Sequence, residues 1–188
     1  MAAALGVVRE RGLGALSVRS VAAAAGVGPT TLRHYFPTQA ELHKEVAASL
    51  TASALDDLGI ADAGRDPADR LAECLVQFLP PRAISAEALA GWSELYRLVL
   101  GGTPNLGVVE IIGSARRASE SALRRWLGVL ADQGHVVRAE IDAHVTRILA
   151  LIDGIHLDLI VDPASIDLDE AEAAVRWFAG RVITPKGP

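Results

Sequence analysis

Ser17-Val18-Arg19-Ser20-Val21-Ala22-Ala23-Ala24-Ala25-Gly26-Val27-Gly28-Pro29-Thr30-Thr31-Leu32-Arg33-His34-Tyr35-Phe36 is the stretch that decides the fold. Ser17 is placed to cap a helix, since its hydroxyl can accept from the open N–H groups of a first turn. The apolar spacing then predicts a helix from Val18 to about Ala25. Gly26 ends it, because a residue tolerant of positive φ closes a helix sharply. Gly28-Pro29 restarts the chain as cap and first-turn residue of a second short helix running to Phe36, where proline forfeits no hydrogen bond. Val21, Ala22, Ala25, Val27, Leu32 and Phe36 recur at spacings that turn one apolar face inward, and the small Ala22 and Ala25 permit a close crossing. Thr30, Thr31, Arg33, His34 and Tyr35 remain outward, a face made of hydrogen-bonding groups and charge. The pattern is a helix-turn-helix.

Working outward, a first helix is expected over Ala2 to Arg11, stopped by Gly12-Leu13-Gly14. On the other side Pro37 ends the polar helix, and Thr38-Gln39-Ala40-Glu41 is a capping box that opens a long fourth helix from Gln39 to about Leu58. Gly59 to Gly64 make a polar connection, and Asp66-Pro67 opens a fifth helix that Pro80-Pro81 closes. A sixth helix is expected from Ser85 to Gly101-Gly102, and a seventh from Thr103-Pro104 to Gly134. Gly107 and Gly113 each cost about 1 kcal/mol relative to alanine and point to a kink or late start in that seventh helix. An eighth helix is read from about Ala139 to Val161, and a ninth from Leu168 to Ile183 behind the capping box Asp167 to Glu170. The fold expected is all-α with about nine helices: a three-helix DNA-binding domain over 1–48 and a helical ligand-binding and dimerisation domain over 49–188.

Composition agrees with this reading. The chain of 188 residues is 51% hydrophobic but only 4% aromatic, rich in alanine and leucine rather than in strand formers. Its net charge of -5 is uneven: residues 1–50 hold five basic side chains (Arg9, Arg11, Arg19, Arg33, Lys44) against three acidic ones, leaving the remainder at -7. A mildly basic head on an acidic body suits contact with DNA at one end only. The single cysteine, Cys74, cannot form an internal disulfide and fits a reducing compartment. No apolar run of about 20 residues marks a membrane span, and no leader pattern opens the chain, so a soluble cytoplasmic protein with no membrane partner is expected.

The block from Glu10-Arg11-Gly12 through Ser17-Val18-Arg19, Ala23-Ala24-Ala25-Gly26-Val27, Thr31-Leu32 and His34-Tyr35-Phe36-Pro37 to Glu41-Leu42 closely resembles the N-terminal domain of the TetR (tetracycline repressor) family. The resemblance implies a bacterial regulator, nucleoid-associated when bound to DNA, whose third helix enters the major groove of an operator. It carries DNA contact onto Pro29, Thr31, Arg33, His34 and Tyr35, with Arg19 reaching from the helix before. Tyr35 would touch phosphate, and Arg33 would read guanine, since its fork matches the O6 and N7 acceptors. Gln39 stands where relatives commonly carry lysine, so a phosphate ion pair there becomes a neutral hydrogen bond. Arg33 stands where many relatives carry tyrosine, which leaves the operator sequence open. The chain also begins late compared with relatives that have a basic stretch and a further turn before the equivalent of Ala2.

For the body the resemblance is loose and implies an effector pocket and a dimer made by the last two helices. Ile148, Leu151, Ile152, Ile155 and Leu159 form one apolar stripe, which Leu149, Leu157 and Ile160 broaden; Val175, Trp177, Phe178 and Val182 do the same on the ninth helix. The expected homodimer seam is therefore Ile148, Leu151, Ile152, Ile155, Leu159, Val175, Phe178 and Val182, and a two-fold dimer would present two heads to a palindromic operator. Cys74, Phe78, Trp92, Leu95, Tyr96 and Trp126 are the candidate pocket residues for a small apolar or aromatic effector, which would release a repressor from DNA. His135, His144 and His156 lie near acidic residues, and Asp153 with His156 share a helix face, but no three-ligand set such as His-Glu-x-x-His occurs. Neither a metal, a cofactor nor catalysis is expected. The competing reading is a helical small-molecule-binding protein or enzyme whose helix-turn-helix no longer reads DNA.

Overall fold

The structure, a computed structural model, describes residues 1–11, 13–52, 55–80, 106–162 and 165–184. Eight α-helices and two short 3-10 turns, and no strand, occur among the described residues: α1 Ala2–Arg11, α2 Val18–Ala24, α3 Pro29–Tyr35, α4 Gln39–Ala52, α5 Pro67–Val76, α6 Leu106–Asp132, α7 Ile141–Val161 and α8 Leu168–Val182. The sixth helix expected after Ser85 lies outside the described residues. The chain divides into two compact units. One holds α1 to α4 and α6 as far as Ala118; the other takes in α5, α6 from Ser119, α7 and α8.

In the first unit α2 begins where Ser17 sits in extended backbone and its Oγ accepts from the Ser20 N–H at 3.1 Å, while the Ser20 hydroxyl accepts from the Ser17 N–H at 3.0 Å. This is a capping box with serine in the place usually taken by glutamate or glutamine. Ser20 Oγ also donates to the Ala15 carbonyl at 2.7 Å, tying α2 to the turn before it. Gly26, at φ +67°, closes α2: its N–H bonds the Ala23 carbonyl and the Val27 N–H bonds that of Ala22, the two bonds of a Schellman closure. The box at Thr38 forms as expected, Thr38 Oγ1 accepting from the Glu41 N–H and Glu41 Oε2 from the Thr38 N–H, both at 3.1 Å. Ala4 and Val7 of α1, Leu16, Val21 and Ala22, Leu32 of α3, and Leu42 and Val46 of α4 form the core.

The periodicity misplaces two residues of this unit. Ala25 and Val27 were expected inward, yet Ala25 is exposed and Val27 is 40% exposed. The left-handed turn at Gly26 swings the chain away from the packed face, so residues beside it leave the helical period that inner residues obey. The fourth helix also ends earlier than expected, at Ala52 rather than Leu58. Residues 55–57 are non-helical, Leu58 has φ +41°, and Gln77 holds the Asp56 backbone by both its N–H and its carbonyl at 2.8 Å.

In the second unit Asp66 caps α5, accepting from the N–H groups of Ala68 and Asp69. The fifth helix stops at Val76, and a turn with i,i+3 bonds from Phe78 and Leu79 carries the chain to Pro80. The described part of the seventh helix runs as one α6 through Gly107 and Gly113. It ends in a second Schellman closure at Gly134, φ +78°, with His135 bonded to Leu130 and Gly134 to Ala131. A 3-10 turn, Arg138–Glu140, takes the place of the first residues expected in the eighth helix. α5 and α7 both pack on α8. The core gathers Leu71 and Leu75 of α5, Leu123, Trp126, Leu127 and Leu130 of α6, Ile148 and Ile152 of α7, and Val175 and Ala179 of α8.

Because both members of the Ser17–Ser20 box depend on one hydroxyl pair, Ser17→Ala should destabilise the head by about 1 kcal/mol. Urea unfolding followed by circular dichroism measures this, and an unchanged midpoint would remove the box from the account.

Candidate nucleic-acid interface and effector core

α3 has seven residues and only Leu32 among them is buried. Gly28 serves as an N-cap with no side-chain bond and Pro29 occupies the first turn, so the helix is positioned by backbone preference and by Leu32 as its anchor. Pro29, Thr31, Arg33, His34 and Tyr35 are all exposed, as are Arg19 on α2 and Gln39 at the start of α4. Tyr35, 72% exposed, stands out from the surface, and the His34 ring meets it edge to face with centroids 6.0 Å apart. Such exposure has no folding rationale for a large aromatic, and a surface helix with a polar outer face is free to lie in a groove. Gln39 does not reach outward freely: its Nε2 donates to the Leu16 carbonyl at 3.4 Å, the same carbonyl that lies 3.1 Å from Nε2 of the buried His43.

The body brings Cys74, Phe78 and Trp126 together; Trp92, Leu95 and Tyr96 lie outside the described residues. Trp126 is fully buried, with the Phe78 ring edge-on at 6.0 Å. Its indole N–H needs a partner and donates to Asp57 Oδ1 at 2.7 Å, where Arg125 Nε donates as well. The hydrogen bond from Arg125 foremost, opposed by desolvation and reinforced by the Trp126 N–H, holds the Asp57 carboxyl below its ordinary value. The Cys74 thiol lies 3.5 Å from the Asp57 carbonyl as a donor. Burial, then the negative charges of Asp57 and Glu73, push that thiol up to about 12, so it stays protonated and acts as a small core side chain rather than a nucleophile. His156 Nε2 donates to the Phe78 carbonyl at 2.8 Å and fixes the turn after α5. The sequence pairs His156 with Asp153 on one helix face and gives no sign of Asp57, because the partners the structure shows are 78 and 69 residues away and no local pattern announces them.

The eight residues assigned to a dimer seam face inward to differing degrees. Ile148, Ile152, Ile155, Leu159, Val175 and Val182 are buried in the subunit's own core, and Leu151 and Phe178 are half-buried against it. The opposite faces remain open. On α7 these carry Ala150, Gly154, Leu157 and Val161 at spacings of three and four, and on α8 Ala173, Trp177 and Gly180. Trp177 is 60% exposed with the Arg181 guanidinium 4.8 Å over its ring, and Val161 is 72% exposed. No group of three or more His, Cys, Asp or Glu side chains able to hold a metal occurs among the described residues. Among them, too, no helix is long and apolar enough to cross a membrane.

A capped helix-turn-helix with a polar third helix, followed by a separately cored helical body, defines a one-component DNA-binding regulator. Residues 1–46 match the profile described as bacterial regulatory proteins, tetR family, and residues 67–184 that of the BetI-type transcriptional repressor, C-terminal. The chain belongs to the TetR family of transcriptional regulators, DNA-binding proteins with a ligand-binding C-terminal domain. It is 24% identical over 175 residues to the HTH-type transcriptional regulator PksA of Bacillus subtilis, covering 90% of this chain and 80% of that one. A transcriptional regulator of Rhodococcus sp. Rha1 shares 26% identity at a TM-score of 0.64, over 96% of this chain and 92% of that one. A transcriptional regulator of Saccharomonospora viridis in complex with choline has the same fold at 18% identity and a TM-score of 0.62, over 98% and 95% of the two chains.

Burial lowers the proton affinity of His156 below its ordinary 6.5, against the opposing effects of its bond to Phe78 and of Asp153. The unfolded chain then takes up a proton that the folded chain refuses. This stabilisation is present above about pH 6.5 and is lost as the pH falls through the folded value. Melting temperature should therefore drop on acidification below about pH 6.5, and His156→Gln should flatten that slope. His144, also lowered by burial, leaves a remainder. An unaltered slope in the variant would deny His156 this part.

Proposed function

We propose that the protein is a homodimeric repressor that leaves a palindromic operator when a small apolar or aromatic effector enters its body. The observation that carries this reading is α3: a helix opened by Gly28-Pro29 that buries one leucine and exposes Thr31, Arg33, His34 and Tyr35. A head that had lost DNA binding would have no reason to keep a large aromatic and two basic groups unpacked there. Residues 1–48 act as the DNA-binding domain and 49–188 as the effector-binding and dimerisation domain. Arg33 reads a guanine through its fork, Tyr35 and Arg19 touch phosphate, and Pro29, Thr31 and His34 complete the contact. Gln39 adds at most a neutral hydrogen bond to the backbone of DNA, in keeping with its bond to Leu16. The aromatic pair Phe78 and Trp126 gives the effector core its apolar character. Effector binding changes the spacing of two heads that must meet successive major grooves about 34 to 36 Å apart.

For the dimer we place the seam on the open faces of α7 and α8, with Leu157, Val161 and Trp177 as its large apolar groups and Gly154, Ala173 and Gly180 as the small ones that let helices approach. The inward stripe supports this surface from behind. Trp177→Glu should shift the protein from dimer to monomer in sedimentation while leaving the subunit folded. Ile148→Ala should instead cost about 2 to 5 kcal/mol of stability through a core cavity. A Trp177→Glu variant that stays fully dimeric would put the seam elsewhere.

Selection of DNA fragments by the full-length protein tests the principal reading, an enriched palindrome with steep salt dependence being the expected result. On that operator Arg33→Ala should weaken binding by about 1 to 3 kcal/mol and relax preference at one base pair, while Tyr35→Phe weakens all sequences alike. Equal binding by Arg33→Ala and the parent protein would refute the assignment of Arg33. No enrichment and little salt dependence would leave a small-molecule-binding protein.

A further inference from the structure

Arg70 lies on the inner face of α5 and is 0% exposed, although its guanidinium is a cation with five N–H donors. Both of its hydrogen bonds come from Nη1, one to the Ile60 carbonyl at 2.6 Å and one to Gln133 Oε1 at 2.9 Å. Nε and Nη2 are buried without any hydrogen-bond partner. The two groups that do accept from Arg70 are a backbone carbonyl and a neutral amide, so among the described residues the charge has no counterpart.

Of the carboxylates nearby along the chain, the adjacent Asp69 is exposed whereas Arg70 is enclosed, and Asp62 accepts from the Gly64 N–H at 3.0 Å. Asp57 holds Arg125 and Trp126, Asp66 caps α5, and Glu73 pairs with Arg65. An enclosed cation left unpaired is among the more costly arrangements a core can hold. The vacant edge is also a specific one, because Nε–H and the neighbouring Nη2–H run parallel and form the fork by which arginine grips both oxygens of a carboxylate. The turn at residues 58–61, with Leu58 exposed at φ +41°, borders the guanidinium at Nη1, held by Arg70 at the Ile60 carbonyl and by Gln133 Nε2 at the Ala61 carbonyl, 3.2 Å away.

We propose that the Nε–Nη2 edge of Arg70 is a binding site for a small carboxylate of the size of formate or acetate, admitted when the turn at 58–61 lifts, which supplies the counter-charge and stabilises the body. Binding to the folded state alone raises stability with ligand concentration. Thermal unfolding of the full-length protein at fixed ionic strength should show a melting temperature about 2 to 4 °C higher in sodium formate than in sodium chloride.

Gln133→Glu keeps Arg70 and places a carboxylate beside it. This variant should melt higher than the parent in chloride and lose the response to formate, whereas Gln133→Ala, which loses the same amide bonds, should retain the response. Arg70→Met should abolish it; if that variant does not fold, the Gln133 pair still decides. Equal melting of the parent in formate and chloride would overturn the proposal, as would a formate response in Gln133→Glu as large as that of the parent.

Discussion

The body is organised by the need to satisfy one indole N–H. Trp126 is the bulkiest of the fully enclosed side chains described, and hiding so large a ring is favourable only if its single polar atom finds an acceptor. Asp57 provides it from a stretch that is not helical, and that choice propagates. The same residue's backbone carbonyl receives the Cys74 thiol, its neighbour Asp56 is clasped by Gln77, and the turn that follows covers Arg70. The segment after α4 is therefore fastened to α5 and α6 by polar contacts as well as by the apolar packing of Leu55 and Ile60. The accompanying ion pair with Arg125 is half-exposed and adds little by itself. The direct link to the buried indole is the part that matters.

The head and the body were not equally readable from sequence, and the difference is physical. The devices that set the helix ends of the head act within a few residues: the Ser17 cap, the Gly26 closure, Pro29 in a first turn, the Thr38 and Glu41 box. Local interactions leave local signatures, so the bounds of α1, α2 and α3 and the start of α4 hold to within a residue or so, while the end of α4, which no such device marks, falls six residues short of its expected place. Ala25 and Val27 escaped because apolar periodicity cannot register where a left-handed turn takes the chain out of phase. In the body the decisive contacts join residues 63 to 78 positions apart, such as Arg70 to Gln133 and His156 to Phe78. Nothing near either partner in sequence encodes the other.

The α7 stripe shows a third kind of limit. Ile148, Ile152, Ile155 and Leu159 are apolar at helical spacing, and the pattern states correctly that they are hidden. It does not state from what. A residue enclosed by its own chain and one enclosed by a second copy look alike in sequence, and only the subunit's own packing separates them. The weaker face, built of glycines and alanines with Leu157, Val161 and Trp177 between, gives little periodic signal because small residues score near neutral.

Cys74 has a bearing on what kinds of stimulus this regulator can answer. It is the single cysteine of the sequence, and burial pushes its thiol up to about 12, so the thiol form prevails near neutral pH. Peroxides, quinones and other electrophiles react with the thiolate and need access to it, and here both are denied. Oxidative or alkylating chemistry at this sulfur is thus disfavoured in the folded subunit.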